Sequence, residues 1–255
     1  MIEPLITIAV QCAHFERRLL WMASSLAQQT APGLIEFNVS YLPGAGTPDP
    51  AATAAVLSDR LVIRLDSWAA SPELFTRRGE VRTKQLKVCR TEWLMFSDCD
   101  MVYCPQYFER LAGDLTTLHA SAPYMVSSGR TSNHKDAANE LVTRMTTHKA
   151  IEVPHSFELA SRLAPIDRRN VGAGFCQLIN ARHCPHGGYY VEPGKSRDWD
   201  WTKRGSNPRS DMQFRRRIAA AAGPRRDLDR WFSRNAVHLN HDRDPDVGRH
   251  LTCQR

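Results

Sequence analysis

The hydrophobic pattern of residues 1–100 alternates between short apolar runs and longer stretches with helical spacing. Continuous apolar runs that contain Ile and Val are typical of strands buried on both faces of a sheet. The pattern predicts such strands at Leu5–Cys12, Leu34–Leu42, Leu61–Leu65 and Trp93–Ser97, and helices at Phe15–Gln28 and Arg77–Arg90. Because strands that alternate with helices form parallel β-α-β units, the chain is predicted to have an α/β fold.

The pattern is less regular after Pro105. It predicts helices at Tyr107–His119 and Ser210–Ala222, and short strands at Met125–Ser128, within Val171–Asn180 and at Ala236–Leu239. The Ser210–Ala222 helix has the clearest ends. Ser210 is a favourable N-cap, and Gly223 with Pro224 follows the last turn.

The chain of 255 residues has an ordinary globular composition, with 42% hydrophobic and 24% charged residues. No apolar run approaches the ~18 residues that a membrane span requires. The apolar N-terminal stretch lacks a preceding basic segment and a small-residue cleavage site, so it indicates a first strand and not a signal peptide. The seven cysteines form no CxxC pair, and their odd number argues against a disulfide framework. We therefore expect a cytoplasmic protein with no membrane partner.

The net charge of +7 lies entirely in the last part of the chain. Residues 1–194 contain 19 basic and 19 acidic side chains, whereas residues 195–255 contain 15 basic and 8 acidic ones. A basic region on a neutral domain favours a polyanionic partner such as nucleic acid, a phosphorylated substrate or an anionic surface. A basic surface with no such partner accounts for the composition equally well.

The strongest chemical signal is Asp98-Cys99-Asp100, which directly follows the apolar strand WLMFS. In extended backbone, residues i and i+2 share one side of the chain, so both carboxylates face the same way. Carboxylates this close repel unless a cation lies between them, and Mg²⁺ and Mn²⁺ prefer oxygen ligands. Because α/β sheets bind ligands beyond the carboxyl ends of their strands, residues 11–14, Asp66 and this motif are predicted to converge on one edge.

Five segments of the chain carry a family resemblance. In order, they are ITIAVQCAHFERRLLWMASSLAQQT, RTKQLKVCRTEWLMFSDCDMVYCPQYFERL, VGAGFCQLINARH, RSDMQFRRRI and AVHLNHDRD. They resemble segments of the GT-A glycosyltransferases, especially family 2 and the related galactosaminyl- and galactosyltransferase groups. In that family the matching segments are the opening strand and helix, the DxD segment, the acceptor-side glycine strand, the segment with the catalytic base and the C-terminal histidine motif.

The resemblance implies a single GT-A domain, in which helices flank a Rossmann-like, mostly parallel central sheet. Residues 1–104 would form the nucleotide-sugar-binding half, and residues 105–255 would form the acceptor-binding half. The implied activity is transfer of a sugar from a nucleotide diphosphate sugar, with a UDP-sugar favoured, to an acceptor hydroxyl. The implied cofactor is Mn²⁺ or Mg²⁺.

The resemblance also implies roles for individual residues. Asp100 would bind the metal together with His238, for which His241 is the alternative. Asp98 would contact the ribose or the donor sugar, and a contact with the metal is a further alternative for it. Further contacts to the donor are implied for four residues of the matching segments: Gln11, Ala13, Arg82 and Gly174. The chain departs from the family at residues 41–44, where Tyr-Leu-Pro-Gly replaces an acidic turn that holds the base or ribose. Asp66, at the end of the third strand, is the substitute for that contact.

Asp211 is the implied catalytic base of an inverting reaction. With Ser210 as the N-cap it lies at the first helical position, where the helix dipole stabilises a carboxylate. An acceptor hydroxyl that attacks an anomeric carbon needs such a carboxylate within hydrogen-bond reach. Asp198 and Asp200 are alternative bases, and a purely helix-supporting role for Asp211 is a further alternative. A retaining reaction follows if no carboxylate is in place.

The acceptor half implied by the family would carry the whole basic excess and the aromatic and basic segment Trp199–Arg209. This combination favours DNA with hydroxymethylated bases as the acceptor, and in that respect the chain is similar to DNA-modifying glycosyltransferases of bacteriophages. Phosphorylated small molecules, lipid carriers and proteins are alternative acceptors. Two other classes compete with the glycosyltransferase: a haloacid-dehalogenase-like phosphatase, whose DxD motif ends the first strand, and a non-enzymatic nucleic-acid-binding protein.

Overall fold

The computed structural model describes about half of the chain, mainly its N-terminal part. The described residues are 3–12, 16–41, 51, 59–66, 78–118, 124–126, 129–131, 156–162, 169–170, 176–184, 214, 216–218, 220, 226–228 and 230–239. All structural statements below concern these residues.

The described residues form eleven strands and five α-helices. The strands are β1 (Ile6–Cys12), β2 (Ile35–Tyr41), β3 (Val62–Asp66), β4 (Trp93–Ser97), β5 (Met101–Tyr103), β6 (Tyr124–Val126), β7 (Gly129–Thr131), β8 (Arg169–Asn170), β9 (Cys176–Asn180), β10 (Arg226–Asp227) and β11 (Ala236–His238). The helices are α1 (Glu16–Ala27), α2 (Arg78–Val88), α3 (Tyr107–Leu118), α4 (Ser156–Arg162) and α5 (Arg230–Arg234).

Seven strands form the central sheet in the order β10-β6-β9-β4-β1-β2-β3. Neighbouring strands are parallel from β3 to β4 and between β10 and β6, whereas β9 is antiparallel to both of its neighbours. The chain proceeds from β1 through β2 to β3 on one side and then returns to β4 on the other side of β1. This reversal opens a crevice between the carboxyl ends of β1 and β4, where open α/β sheets bind their ligands.

The main hydrophobic core lies on one face of this sheet. Alternate residues of β1 and β2, among them Ile8, Val10, Phe37 and Val39, pack with α1 and α3 and are at most 2% exposed. Burial of an aliphatic or aromatic side chain of this size stabilises the fold by roughly 1.5–3 kcal/mol. The core therefore fixes the register of the strands whose ends form the crevice.

The opposite face of β2 is polar, although it is buried. Glu36, Asn38 and Ser40 alternate with the apolar residues of this strand, and α2 contacts β1 and β2. Gln85 of α2 donates hydrogen bonds to the Val10 carbonyl at 2.9 Å and to Ser40 Oγ at 3.0 Å. Because a buried amide without partners is costly, these bonds fix the position of α2 on the sheet.

A second cluster of apolar side chains covers β4 and β9. Phe96 of β4 packs edge-to-face against Phe214, with ring centroids 6.1 Å apart and an interplanar angle of 85°. Ile218, one helical turn after Phe214, belongs to the same cluster. The described residues of the predicted helix 210–222 are helical, and two of them, Phe214 and Ile218, are buried.

The smaller sheet has the order β5-β11-β7-β8 and was not predicted from the sequence. Strand β11 pairs antiparallel with β5 and parallel with β7. A third apolar cluster, with Trp21 of α1, Val102 of β5, Ala160 of α4 and Val237 of β11, holds this sheet against two helices. Strands of two or three residues have no hydrophobic period of their own, which explains why sequence patterning missed β5, β7 and β8 of this sheet.

The prediction of an α/β fold is confirmed, with a mostly parallel central sheet and flanking helices. The strands predicted in the first part of the chain correspond to β1, β2, β3 and β4, and the later ones correspond to β6, β9 and β11. The predicted helices over residues 15–28, 77–90 and 107–119 correspond to α1, α2 and α3. Helix α4 lies within residues 129–168, for which the pattern is polar and partly helical. Sequence patterning missed β5, β7, β8, β10 and α5, all of which are short.

We expect the protein to lose stability at alkaline pH. Burial raises the pKa of the Cys104 thiol from 9.0 to about 11 and raises the pKa of the Tyr103 phenol well above its usual value. Between pH 9 and 11 the unfolded chain binds fewer protons at these groups than the folded one, so the free energy of unfolding falls as pH rises. Each group contributes about 1 kcal/mol per pH unit.

Urea unfolding at pH 7, 9 and 10 measures this loss. Cys104→Ser removes one titrating group and should make the decline between pH 9 and 10 shallower, whatever its effect at pH 7. A wild-type free energy of unfolding that is constant from pH 7 to 10 would contradict the expectation.

Candidate metal centre

Three side chains with metal-ligand chemistry meet at the carboxyl end of β4. Asp98 follows β4, Asp100 precedes β5, and His238 is the last residue of β11. One ligand atom from each lies within 4.8 Å of the other two, and His238 Nε2 is 3.3 Å from Asp100 Oδ1. In the part of the chain that the structure describes, this is the only such group of three.

Backbone pairing explains why residues so distant in sequence meet here. Strand β5 pairs antiparallel with β11, with His238 opposite Met101. The amide of Leu239 donates a 2.9 Å hydrogen bond to the Asp100 carbonyl, which extends the pairing by one residue past the strand end. The pairing therefore holds the imidazole beside the second carboxylate of the motif.

The turn between β4 and β5 is anchored from both sides. Ser97 Oγ lies 2.8 Å from the Tyr103 hydroxyl and donates a hydrogen bond to the Asp98 carbonyl at 3.1 Å. Cys99, between the two carboxylates, is buried in the main core with Cys12 from the end of β1. A hydrogen bond with the Cys12 thiol and burial raise the pKa of Cys99 well above its usual value. The thiol therefore stays neutral, and the charge of the turn is limited to its carboxylates.

The donor set fits a divalent cation. Two carboxylates and one imidazole offer hard oxygen ligands and one nitrogen ligand, which Mg²⁺ and Mn²⁺ both accept, with Mn²⁺ the more tolerant of nitrogen. The side chain of Asp100 is 7% exposed, that of His238 is 19% exposed and that of Asp98 is 29% exposed. Carboxylates this close repel each other, and a bound cation would relieve that repulsion.

Arg82 of α2 contacts the more exposed carboxylate. Its Nη2 lies 3.7 Å from Asp98 Oδ1, and its Nη1 donates a hydrogen bond to Gln177 Oε1 at 3.3 Å. The guanidinium also lies over the Phe96 ring, 5.3 Å from the centroid. A buried guanidinium thus links α2 to β4 and β9 directly beside the candidate metal ligands.

Gln11 and Asp66 lie at the same edge of the sheet. The strand register places Gln11 of β1 opposite Ser40 of β2, and Ser40 opposite Asp66 of β3. Asp66 Oδ2 accepts a 2.7 Å hydrogen bond from Asn38 Nδ2 and lies 3.8 Å from Arg64 Nε. The predicted convergence of the strand-end residues is therefore present for Gln11, Asp66 and the Asp98–Asp100 motif.

Other predicted site residues lie outside the described residues. They are Ala13, Gly174, Asp211 and His241, together with the alternative bases Asp198 and Asp200. Their roles stay predictions.

Sequence reasoning missed three polar residues that support this edge of the sheet: Asn38, Tyr103 and Gln177. Asn38 and Gln177 are 0% exposed and lie within strands that are otherwise mostly apolar. A polar residue within a strand that is predicted to be buried on both faces was the available signal, since burying an amide is tolerated only when a partner is present.

Comparison with known proteins gives structural similarity without sequence similarity. No protein-family model and no curated protein sequence matches the chain. The chain is similar in structure to S. aureus TarS 1–349 in complex with UDP-GlcNAc, with a TM-score of 0.61 and 12% identity over 98% of this chain and 61% of that one. It is also similar to the mannosyltransferase PcManGT from Pyrobaculum calidifontis in complex with GDP-Man and Mn²⁺, with a TM-score of 0.54 and 12% identity over 98% and 61%.

A third similar structure is glucosyl-3-phosphoglycerate synthase from Mycobacterium tuberculosis in complex with Mn²⁺, UDP and glucosyl-3-phosphoglycerate. Its TM-score is 0.50 and its identity is 14%, over 98% of this chain and 77% of that one. The chain therefore has the GT-A fold, which confirms the predicted fold class. It spans about 61% of the length of the TarS and PcManGT chains.

Among the described residues, no helix combines the length and apolarity needed to cross a membrane.

The position of the motif bears on the competing phosphatase. That class carries its DxD motif at the end of the first strand, whereas Asp98 here follows β4, after three earlier strands. The observed position of the motif therefore differs from that of the phosphatase class.

Mn²⁺ should stabilise the folded protein through the three-residue cluster. We expect Mn²⁺ with a nucleoside diphosphate to raise the midpoint of thermal unfolding of the wild type. Asp100→Asn keeps the shape of the side chain but removes a charged ligand, so it should weaken Mn²⁺ binding by about 10–100-fold or more. Asp59→Asn, which removes an exposed acid outside the cluster, is the matched control. An Asp100→Asn protein that keeps the full shift would show that the cluster does not bind the metal.

Proposed function

We propose that the protein is a metal-dependent glycosyltransferase that moves a sugar from a nucleotide diphosphate sugar to an acceptor hydroxyl. The observation that carries the proposal is the Asp98–Asp100–His238 cluster beside the crevice of a GT-A sheet. Similar structures contain UDP, UDP-GlcNAc or GDP-Man, two of them with Mn²⁺, which supports a nucleotide-sugar donor. A UDP-sugar is the favoured donor.

Asp100 and His238 would hold the cation, which we propose to be Mn²⁺ or Mg²⁺. When bound, such a cation offsets the negative charge that develops on the leaving diphosphate. Asp98, the most exposed of the three side chains, accepts hydrogen bonds from hydroxyls of the ribose or the donor sugar. Five further residues contribute to donor binding: Gln11, Ala13, Asp66, Arg82 and Gly174.

Asp211 is the proposed base of an inverting displacement. The acceptor hydroxyl gives its proton to the carboxylate while its oxygen bonds to the anomeric carbon, and the bond from that carbon to the diphosphate oxygen breaks. The packing of Phe214 against Phe96 supports the assignment, because these rings lie three residues after Asp211 and two residues before Asp98 in the chain. The sequence places Asp211 at the start of the predicted helix 210–222, where the helix dipole would stabilise the carboxylate in its charged form.

Asp211→Asn should lower turnover by a factor of about 10², the usual contribution of a general base, while donor binding is retained. The assay is sugar transfer, or slow hydrolysis of the nucleotide sugar, measured with and without Mn²⁺ after a thermal-shift screen of nucleotide sugars has identified the donor. Asp198→Asn and Asp200→Asn test the alternative bases. Weakened donor binding with normal turnover would assign Asp211 to another role, and a wild type with no metal-dependent activity on any nucleotide sugar would remove the proposed function.

The acceptor that we propose is hydroxymethylated DNA, which implies a cytoplasmic enzyme. The supporting observation is the +7 charge of residues 195–255, because a basic acceptor side attracts polyanions and speeds their arrival. The segment Trp199–Arg209 offers aromatic and basic side chains of the kind that stack on bases and contact phosphates. Small phosphorylated molecules, lipid carriers and proteins are the other acceptor classes.

Binding to duplex DNA should fall steeply between 50 and 200 mM salt, by about 10³-fold if six phosphates are contacted. The double variant Arg215→Glu with Arg216→Glu should weaken binding and flatten this salt dependence. Arg162→Glu, which changes an exposed arginine outside the basic region, is the matched control. No measurable binding at 50 mM salt would exclude DNA as the acceptor and leave the glycosyltransferase proposal intact.

A further inference from the structure

Arg82 is an unusually buried charge for a site that would bind a cation. The residue is 2% exposed and extends from α2 to Phe96 of β4 and Gln177 of β9, which are paired across the sheet. Its ion pair with Asp98 at 3.7 Å joins it to the DxD motif. A buried guanidinium is costly unless it is paired and hydrogen-bonded, so the structure around it is built to hold a positive charge at this point.

Gln177 is the second polar partner of the Arg82 guanidinium, in addition to Asp98. Its strand, β9, is fully buried, and the amide oxygen accepts the 3.3 Å hydrogen bond from Arg82 Nη1. A neutral amide orients the guanidinium without cancelling its charge. A carboxylate at the same place would form an ion pair with Arg82 and compete with Asp98 for it.

Arg82 gives the two aspartates different electrostatic surroundings. Among the described residues, the carboxylates of Asp98 and Asp100 and the guanidinium of Arg82 have formal charges that sum to one negative charge. Asp98 is held by the guanidinium at 3.7 Å, while Asp100 lies 3.3 Å from His238. Among the described side chains, an arginine therefore pairs with Asp98 and a histidine with Asp100, although the two carboxylates are two residues apart.

We propose that Arg82 and Gln177 are positioning residues, which orient Asp98 as an acceptor for a donor hydroxyl and lower the affinity of the nucleotide-free site for divalent metal. The cation would then bind mainly through Asp100 and His238, and a diphosphate would supply the missing negative charge. The inference rests on the proposed function, and it assigns Gln177 a role that the sequence did not indicate.

Gln177→Glu is the sharpest test, because it is nearly isosteric and keeps the acceptor while cancelling the charge of Arg82. In the absence of nucleotide, we expect it to tighten Mn²⁺ binding by about three- to tenfold, since the local sum becomes two negative charges. Electron paramagnetic resonance of free Mn²⁺ measures this affinity without reference to activity. In the transfer assay the donor KM should rise about fivefold or more with kcat little changed, the pattern expected when ground-state and transition-state binding are lost equally.

Arg82→Met removes the positive charge that Gln177→Glu cancels, so it should also tighten Mn²⁺ binding. Arg110→Met removes the same charge from an exposed arginine that stacks on Trp231 and should leave Mn²⁺ affinity unchanged. A merely structural role for Arg82 and Gln177 predicts weaker Mn²⁺ binding in both variants, because a disturbed turn would disperse the ligands.

Two outcomes overturn the inference, and they are distinguishable. If the wild type binds Mn²⁺ and transfers sugar, but both variants bind Mn²⁺ no more tightly than the wild type, the positioning role is wrong and the proposed function stands. If the wild type binds no Mn²⁺, the proposed metal site fails and the inference fails with it.

Discussion

The antiparallel pairing of β5 with β11 is the constraint on which the candidate site depends. It joins the turn that carries Asp98 and Asp100 to the strand that carries His238, and the Leu239 amide extends it to the Asp100 carbonyl. Short strands have little stability of their own, so tertiary packing must hold this pairing. Trp21 and the apolar residues of both strands provide that packing, because they form one buried cluster with α1 and α4.

The central sheet adds a second constraint through its buried polar groups. One face of β1 and β2 is apolar, whereas the other carries amides, hydroxyls and carboxylates that are bonded to α2 or to neighbouring strands. Each of these groups requires a partner in a fixed place, so they specify one register and one position of α2. That position brings Arg82 to Asp98, and the electrostatics of the site thus depend on how the polar face is satisfied.

The similarity to TarS, PcManGT and the mycobacterial synthase lies in the path of the chain, since identity is only 12–14%. Identity this low is compatible with a shared fold because apolar side chains of similar size can replace one another in a core. A fold hosts many activities, and function depends on the residues of the site. For this chain the functional argument therefore rests on the Asp98–Asp100–His238 cluster and its surroundings.

The sequence by itself determined the longer strands and helices, because apolar runs and helical periodicity extend over enough residues to be recognised. It also determined that Asp98 and Asp100 follow a buried strand, and the family resemblance named His238 as their partner. Only the tertiary structure decided that His238 lies beside Asp100, that Arg82 contacts Asp98 and that Gln177 completes the network. These contacts join residues far apart in the chain through short strands and buried polar bonds, which leave no periodic pattern in a sequence.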